Sequence, residues 1–120
     1  MKLDVKELIS KILNEFANVT TFTLDNNSSV SGSLKVRVVG RIATISGTLN
    51  YPYAGIGLQL ADFPIGNSKY YPFEQIWLSC DFYTTGAGAE AWLTNGGTVA
   101  VNQPVGGVDL KISGTWIISG

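Results

Sequence analysis

The chain has 120 residues, of which 45% are apolar and only 14% are charged, and its formal net charge is −1. One domain of this length can bury a hydrophobic core. A net charge this close to zero gives no excess of positive charge for binding nucleic acid or an anionic membrane. The sequence has no histidine, which excludes Ser-His-Asp and Cys-His catalytic sites and histidine-ligated zinc. It has a single cysteine, Cys80, which excludes an internal disulfide.

The first segment, residues 1–17, is predicted to be a short amphipathic α-helix that serves as a stem for oligomerisation. Apolar residues recur at helical spacing over residues 3–16, and a helix this short must bury such a stripe to be stable. Either the helix lies across its own sheet, or it forms a parallel bundle with copies from neighbouring subunits. The low charge of the rest of the chain favours the bundle. The candidate oligomer interface, on heptad a and d positions, comprises Val5, Leu8, Ile12 and Val19.

The start of the chain also bears on targeting. Met1 leads into this charged helix rather than into an apolar run, so the sequence predicts no signal peptide and synthesis in the cytoplasm. No stretch approaches the roughly 20 apolar residues that a membrane-spanning helix needs. We therefore expect no membrane insertion.

The second segment, residues 18–120, is predicted to be an all-β head domain. Gly, Ser, Thr, Asn and aromatic residues dominate it, and turn signals recur at close spacing, as in β-sandwiches. Residues 62–72 hold two prolines and are expected to be an irregular loop. The pattern favours a jelly-roll-like antiparallel β-sandwich of about eight strands with the short N-terminal helix. The predicted strands are 19–24, 34–39, 41–49, 57–61, 75–83, 89–94, 98–101 and 108–118.

Residues 34–50 give the clearest local prediction, an antiparallel hairpin. Apolar and polar residues alternate on both sides of Val39-Gly40-Arg41-Ile42, which is the period of a half-buried strand. Gly40 at the first central position supplies the positive φ of a two-residue type II′ turn. A second turn is expected at Asn95-Gly96, a pair that hairpins favour.

The alternation in two later strands singles out a candidate ligand site. In residues 75–83, Ile76, Leu78, Cys80 and Phe82 form the core face, so Trp77 points the other way; in the next strand Trp92 points outward by the same argument. If these strands pair, both tryptophans share one face with carboxylates, which suits a sugar ring and its hydroxyls. Two other readings stay open, an oligomer interface and a one-residue slip that reverses the faces. The candidate ligand-binding residues are Trp77, Asp81, Tyr83, Glu90 and Trp92.

An enzymatic function is not expected. Five acidic residues lie scattered through residues 62–109, and although two carboxylates are enough for a glycosidase, such residues are usually solvated or cap turns. Calcium-loop spacing is absent, and no cationic residue flanks Cys80 to activate its thiol. We therefore predict no catalytic residues, no metal site and no cofactor, and we interpret Cys80 as a packed structural thiol. The five acidic residues of this stretch are Asp62, Glu74, Asp81, Glu90 and Asp109.

The order of these landmarks resembles the small β-sandwich head domains at the tips of tailed-phage and prophage receptor-binding and tail-fibre proteins. Across residues 34–118 the chain has the glycine hairpin "VRVVGRIATISGTL", a proline loop beginning "LADFPIG", the hairpin "AWLTNGGTVAV" and the final strand "KISGTWIISG". The proline loop is longer than the family's. The resemblance implies a homotrimer with N-terminal helices along the three-fold axis, a place at the virion tail tip beside other tail or baseplate proteins, and recognition of bacterial surface glycans.

The sequence thus predicts a non-enzymatic phage or prophage tail structural protein, a trimeric receptor-binding head that recognises bacterial cell-surface saccharide. One alternative is a purely structural trimerisation or tail-assembly module that binds only proteins. Another is a stand-alone bacterial carbohydrate-binding lectin. Tail genes beside the coding sequence favour the phage functions, and sugar-metabolism genes favour the lectin.

Overall fold

A computed structural model describes residues 4–9, 19–82 and 89–120 of the chain. Residues 5–9 are helical, and the side chain of Asp4 accepts a hydrogen bond from the Lys6 amide (3.0 Å) at the start of the turn, as N-cap residues do. Val5, Leu8 and Ile9 are exposed in the isolated chain, so this part of the apolar stripe is uncovered there. Ile12 lies outside the described residues.

The described part of the chain from Val19 onward forms antiparallel strands, which confirms the predicted all-β class. The strands are β1 Val19–Thr23, β2 Asp25–Asn26, β3 Ser31–Val39, β4 Ile42–Tyr51, β5 Gly55–Asp62, β6 Ile76–Phe82, β7 Glu90–Leu93, β8 Thr98–Gln103 and β9 Val108–Ile117, with a 3-10 helix over Ser68–Tyr70. They lie in the spatial order β1-β3-β4-β9-β6-β7-β8-β5-β2. No helix in the described ranges is both long and apolar enough to cross a bilayer.

Strand β6 joins the two halves of this sheet. Its first residues, Ile76 to Leu78, pair with β7, and its last residues, from Ser79 onward, pair with β9. We call β6-β7-β8-β5-β2 the front sheet and β1-β3-β4-β9-β6 the back sheet. The two sheets are therefore continuous through β6.

The ends of the nine-stranded sheet come from adjacent chain segments, so the sheet closes nearly into a barrel. Strand β1 pairs with β3 on the back sheet, while β2 pairs with β5 on the front sheet. Leu24, which lies between β1 and β2, is buried, and its amide donates to the Leu34 carbonyl (2.9 Å). The sequence pattern predicts one strand over residues 19–24. In the structure β1 occupies this segment and the short strand β2 follows it on the front sheet, so nine strands form where about eight were predicted.

The core lies between the two sheets and follows the predicted alternation. Val36, Val38, Ile45 and Leu49 of the first hairpin are all buried, as expected for the inward face of a half-exposed pair of strands. Trp116 is 5% exposed, which confirms its predicted place in the core. The fully buried large side chains are Leu34, Ile45, Leu49, Leu60, Leu93, Leu110, Ile112, Val36, Val99 and Val101.

Two turns test the sequence predictions at the level of single residues. Gly40, the first central residue of the turn, has φ 61°. Arg41, the second, does not have a positive φ, since Ser29 is the one described non-glycine residue that does. The first hairpin therefore has the predicted type II′ signature. In the second hairpin the positive φ of 81° falls on Gly97 and not on Gly96. That connection is a three-residue loop, closed by the bond from the Thr94 amide to the Thr98 carbonyl (2.9 Å).

The barrel has two distinct ends. At the near end, where β1 begins, the segment after Asp62 closes the barrel, and Tyr70 within it is buried rather than part of an open loop. At the far end, where β4 stops at Tyr51, the Gly107 amide donates to the Tyr51 carbonyl (2.8 Å). The ten residues of β4 separate the two ends by about 30 Å.

Candidate functional site

Two tryptophans lie side by side on the outer face of the front sheet. Trp77 on β6 is the direct cross-strand partner of Trp92 on β7, and the ring centroids are 5.6 Å apart with an interplanar angle of 67°. This edge-to-face arrangement is favourable for aromatic rings. Trp77 is 66% exposed and Trp92 is half-buried, so the pair offers an indole surface to the solvent.

The packing of the neighbouring residues sets this orientation. Leu78, Ala91 and Leu93 point inward and are buried, which leaves the alternate positions on the outer face. On the far side of Trp92 the next strand presents Ala100 as its cross-strand partner. Because alanine is small, it leaves room for the indole of Trp92.

A polar pair lies one step along the same face. Glu90 on β7 is the cross-strand partner of Asn102 on β8, and the side-chain amide of Asn102 donates to Oε2 of Glu90 (3.2 Å). The Oδ1 atom of Asn102 accepts a bond from the Gly57 amide (2.7 Å). Both ends of the Asn102 side chain are therefore engaged, and one oxygen of Glu90 stays free of Asn102.

This pair forms one wall of an open groove of about 550 Å³. Glu90 precedes Trp92 by two residues on one face of a strand, a separation of about 7 Å, so the groove and the tryptophan pair adjoin. The groove is lined by Ala54, Gly55, Ile56, Glu90, Asn102, Gln103 and Pro104.

Gln103 holds the far end of this groove in place. Its side-chain Nε2 donates to the carbonyls of Tyr51 (3.1 Å) and Tyr53 (2.5 Å), which ties the end of β8 to the segment between β4 and β5. Gln103 is 2% exposed, and no described residue donates a hydrogen bond to its Oε1 atom.

Charge divides the molecule between its two sheets. Strands β5 to β8 carry three charged residues, Asp62, Asp81 and Glu90, and no lysine or arginine. The cationic residues within β3, β4 and β9 are Lys35, Arg37 and Lys111. The face that bears the tryptophans is therefore acidic in character, although weakly so.

Known structures share this architecture. The receptor-binding head domain of the lactococcal phage bIL170 superposes with a TM-score of 0.66 at 17% sequence identity, over 84% of this chain and 99% of that one. The receptor-binding protein of Listeria phage PSA gives a TM-score of 0.53 at 18% identity, over 96% of this chain and 81% of that one. The chain has the fold of a phage receptor-binding head. No family model and no curated protein matches the sequence.

The resemblance to phage heads that the glycine hairpin suggested is thus confirmed for the fold. In this head fold three predicted site residues, Trp77, Glu90 and Trp92, come together on the front sheet. Asp81 does not join them, since it lies on the part of β6 that pairs with β9, opposite Lys111. Tyr83 lies outside the described residues.

The sequence interpretation missed Asn102 and Gln103. A signal for Asn102 was present, because the hairpin at residues 95–97 sets the register in which Leu93 faces Val99 and hence Glu90 faces Asn102. Gln103 gave no such signal, since its partners, Tyr51 and Tyr53, are about 50 residues away in sequence and depend on the closed barrel.

The thiol of Cys80 is held in its protonated form. Burial, together with the neighbouring carboxylate of Asp81, raises the pKa of the half-buried Cys80 thiol to about 11. The thiolate is therefore scarce at neutral pH. Within the described ranges, no three acidic or cysteine side chains come together as a metal site.

Proposed function

We propose that this chain is a non-enzymatic receptor-binding head of a phage or prophage tail, which binds a bacterial surface saccharide on its front sheet. The observation that carries the proposal is the exposed Trp77–Trp92 pair beside the Glu90–Asn102 pair and its groove. Indole rings stack on the C–H face of a sugar while carboxylate and amide groups bind its hydroxyls.

The position of the groove in the barrel supports this function. Gln103 and Tyr51 lie at the far end, whereas the chain enters the barrel at the near end through Val19. A shaft or stem that joins the head at its N-terminus leaves the far end and the groove open to a cell surface.

We further propose that the head is a homotrimer, held together by its N-terminal helices and the back sheet. An apolar row crosses four adjacent strands on the outer face, since Val19 pairs with Val39, Val39 with Ile42, and Ile42 with Ile117. Ile42 and Ile117 are more than half exposed in the isolated chain. Exposed apolar rows of this kind mark protein interfaces, and this row shares Val19 with the candidate interface of Val5, Leu8, Ile12 and Val19.

The test joins binding and assembly in one set of variants. We expect Trp77→Ala to weaken adhesion of the protein to cell walls of the host bacterium by about tenfold or more, because truncating a central aromatic anchor typically costs about 2 kcal/mol. Trp92→Ala should act in the same direction. Adhesion is measured by co-sedimentation with purified walls, and assembly by light scattering with native mass spectrometry, where we expect a trimer.

The matched control is Phe73→Ala, which removes an aromatic ring that is 64% exposed but lies outside the front-sheet pair. It should leave adhesion unchanged. If Trp77→Ala yields unassembled protein instead, the tryptophan face is an oligomer interface and the chain is the structural assembly module. A strict monomer of the unsubstituted protein contradicts the trimer.

A further inference from the structure

We propose that a cavity at the near end of the barrel binds a phosphate group. The cavity has a volume of about 470 Å³ and lies between the start of β1, the turn after β3, the 3-10 helix and the residues that follow β9. It is separate from the proposed saccharide site, which lies on the outer face of the front sheet. The side chains of this cavity that carry hydrogen-bond donors are those of Thr20, Arg41, Lys69 and Tyr70.

The guanidinium of Arg41 is held against the end of β9. Its Nη2 atom donates to the Ile118 carbonyl (3.2 Å), and the Ile118 amide donates to the Arg41 carbonyl (2.9 Å). A guanidinium carries five N–H donors, so one such bond orients the group and leaves most of its donors for a ligand. Arginine binds phosphate oxygens through two parallel N–H bonds.

The hydroxyl of Tyr70 lies close to two more donors. Thr20 is the cross-strand partner of the buried Val38, so its side chain lies on the inner face of β1, at the mouth of the barrel. The Lys69 ammonium lies 5.0 Å from the centre of the Tyr70 ring. A hydrogen bond with the Thr20 side chain is the largest of the effects on the pKa of Tyr70 and lowers it; burial opposes this shift, and Lys69 lowers the pKa further.

Main-chain bonds fix the walls of the cavity before any ligand arrives. The Gly120 amide donates to the Lys69 carbonyl (3.0 Å), and the Ser119 amide donates to the Tyr71 carbonyl (2.9 Å). Together with the bonds between Ile118 and Arg41, they tie the 3-10 helix to the turn after β3. Donors that are positioned in advance lower the entropic cost of binding.

The lining also favours a phosphate over other anions. Two of the lining side chains are cationic and none is acidic, so they attract an anion without repelling it. The donors reach the cavity from three separate segments of the chain, which suits the several oxygens of a phosphate better than the two oxygens of a carboxylate. Arginine supplies a planar fork and lysine a compact point charge, a combination that phosphate sites use.

The experiment titrates the assembled, nitrogen-15-labelled protein with inorganic phosphate, which replaces chloride at constant ionic strength. The backbone amide signals of Gly40 and Arg41 and the Nε–H signal of Arg41 report on the cavity. We expect phosphate to shift these signals saturably. Acetate, as the carboxylate probe, should bind at least about fivefold more weakly.

Three variants separate specific binding from an effect of net charge. Lys69→Gln removes a charge but keeps the main-chain bond to Gly120, so we expect phosphate affinity to fall by about fivefold or more. Tyr70→Phe keeps the buried ring without its hydroxyl and should weaken binding by a smaller factor. Lys35→Gln removes an exposed cation of β3 outside the cavity and should leave the affinity unchanged.

The source of the phosphate is identified with polysaccharide released from host cell walls, titrated before and after hydrofluoric acid removes its phosphate esters. Cavity shifts that this treatment abolishes assign the phosphate to the wall polymer, and shifts with inorganic phosphate alone assign it to the free ion; both uphold the site. Absence of a saturable phosphate shift, equal affinity for acetate, or equal losses for Lys69→Gln and Lys35→Gln overturns it. The signals of Trp77 and Trp92 are followed in the same titrations, so failure of the saccharide-binding function is seen separately.

Discussion

Replacing Trp116 with alanine is expected to lower the free energy of unfolding by about 3–5 kcal/mol. Trp116 is 5% exposed and lies 6.1 Å from the ring of Phe63 between centroids. Its indole nitrogen donates to the Tyr70 carbonyl (2.8 Å), which anchors the segment that closes the near end. Alanine removes both the packing and the donor. Urea denaturation, followed by circular dichroism at a fixed protein concentration, measures the loss.

Two further variants separate these contributions. Trp116→Phe keeps an aromatic ring but leaves the Tyr70 carbonyl without its donor, so we expect an intermediate loss of about 1–3 kcal/mol. Thr115→Ala changes the exposed neighbour and should stay within about 0.5 kcal/mol of the parent protein. If Trp116→Ala costs no more than Thr115→Ala, the near end does not depend on this anchor.

Gly97→Ala is expected to destabilise the protein by about 2–4 kcal/mol, the sum of backbone strain and overpacking. Gly97 has φ 81°, which alanine adopts unfavourably, and a β-carbon there would overlap the ring of Tyr71. That ring packs edge-on against Phe63 (5.4 Å between centroids), so it has little freedom to move away. Thermal unfolding by scanning calorimetry gives the shift in Tm and the accompanying enthalpy.

The adjacent glycine provides the matched control. A β-carbon at Gly96 would meet only Oγ1 of Thr94, at 3.9 Å, and the φ of Gly96 lies outside the left-handed region. Gly96→Ala should therefore change the free energy of unfolding by less than about 0.5 kcal/mol. Equal losses for the two substitutions would show that the three-residue loop does not have the conformation described.

Local patterns were enough to predict the elements of this fold. The alternation around Gly40 identified the first hairpin and its turn, and the same reasoning placed Trp116 inside and Trp77 outside, as the structure has them. Each of these predictions depends only on the period of a strand and on the φ that a turn requires. Neither property needs knowledge of distant residues.

What the sequence did not reveal depends on contacts between distant segments. The change of partner at Leu24 follows from closure of the barrel, which no local pattern encodes. The positive φ falls on Gly97 rather than Gly96 because the connection is a three-residue loop, whose last residue adopts the left-handed conformation. Asp81 was grouped with Trp77 by strand parity alone, and the passage of β6 from one sheet to the other separates them.

In the candidate site, too, local patterns predicted some residues, and contacts between distant segments account for those that were missed. Trp77 and Trp92 were found because they share parity on strands that pair with each other. The groove was not found, since its depth comes from residues 54–56 and from Gln103, which meet only when β5 and β8 are side by side. The predicted stem, residues 1–17, and the interface residues Val5, Leu8, Ile12 and Val19 stay predictions.

The central claim is that the tryptophan face of the front sheet binds bacterial surface saccharide. Its most direct test is a titration of the assembled protein with polysaccharide released from the cell walls to which it adheres, following the indole N–H signals of its three tryptophans. We predict that the signals of Trp77 and Trp92 shift while that of Trp116, which is buried and bonded to Tyr70, does not. Binding that leaves both Trp77 and Trp92 unmoved, or no binding at all, would contradict the account.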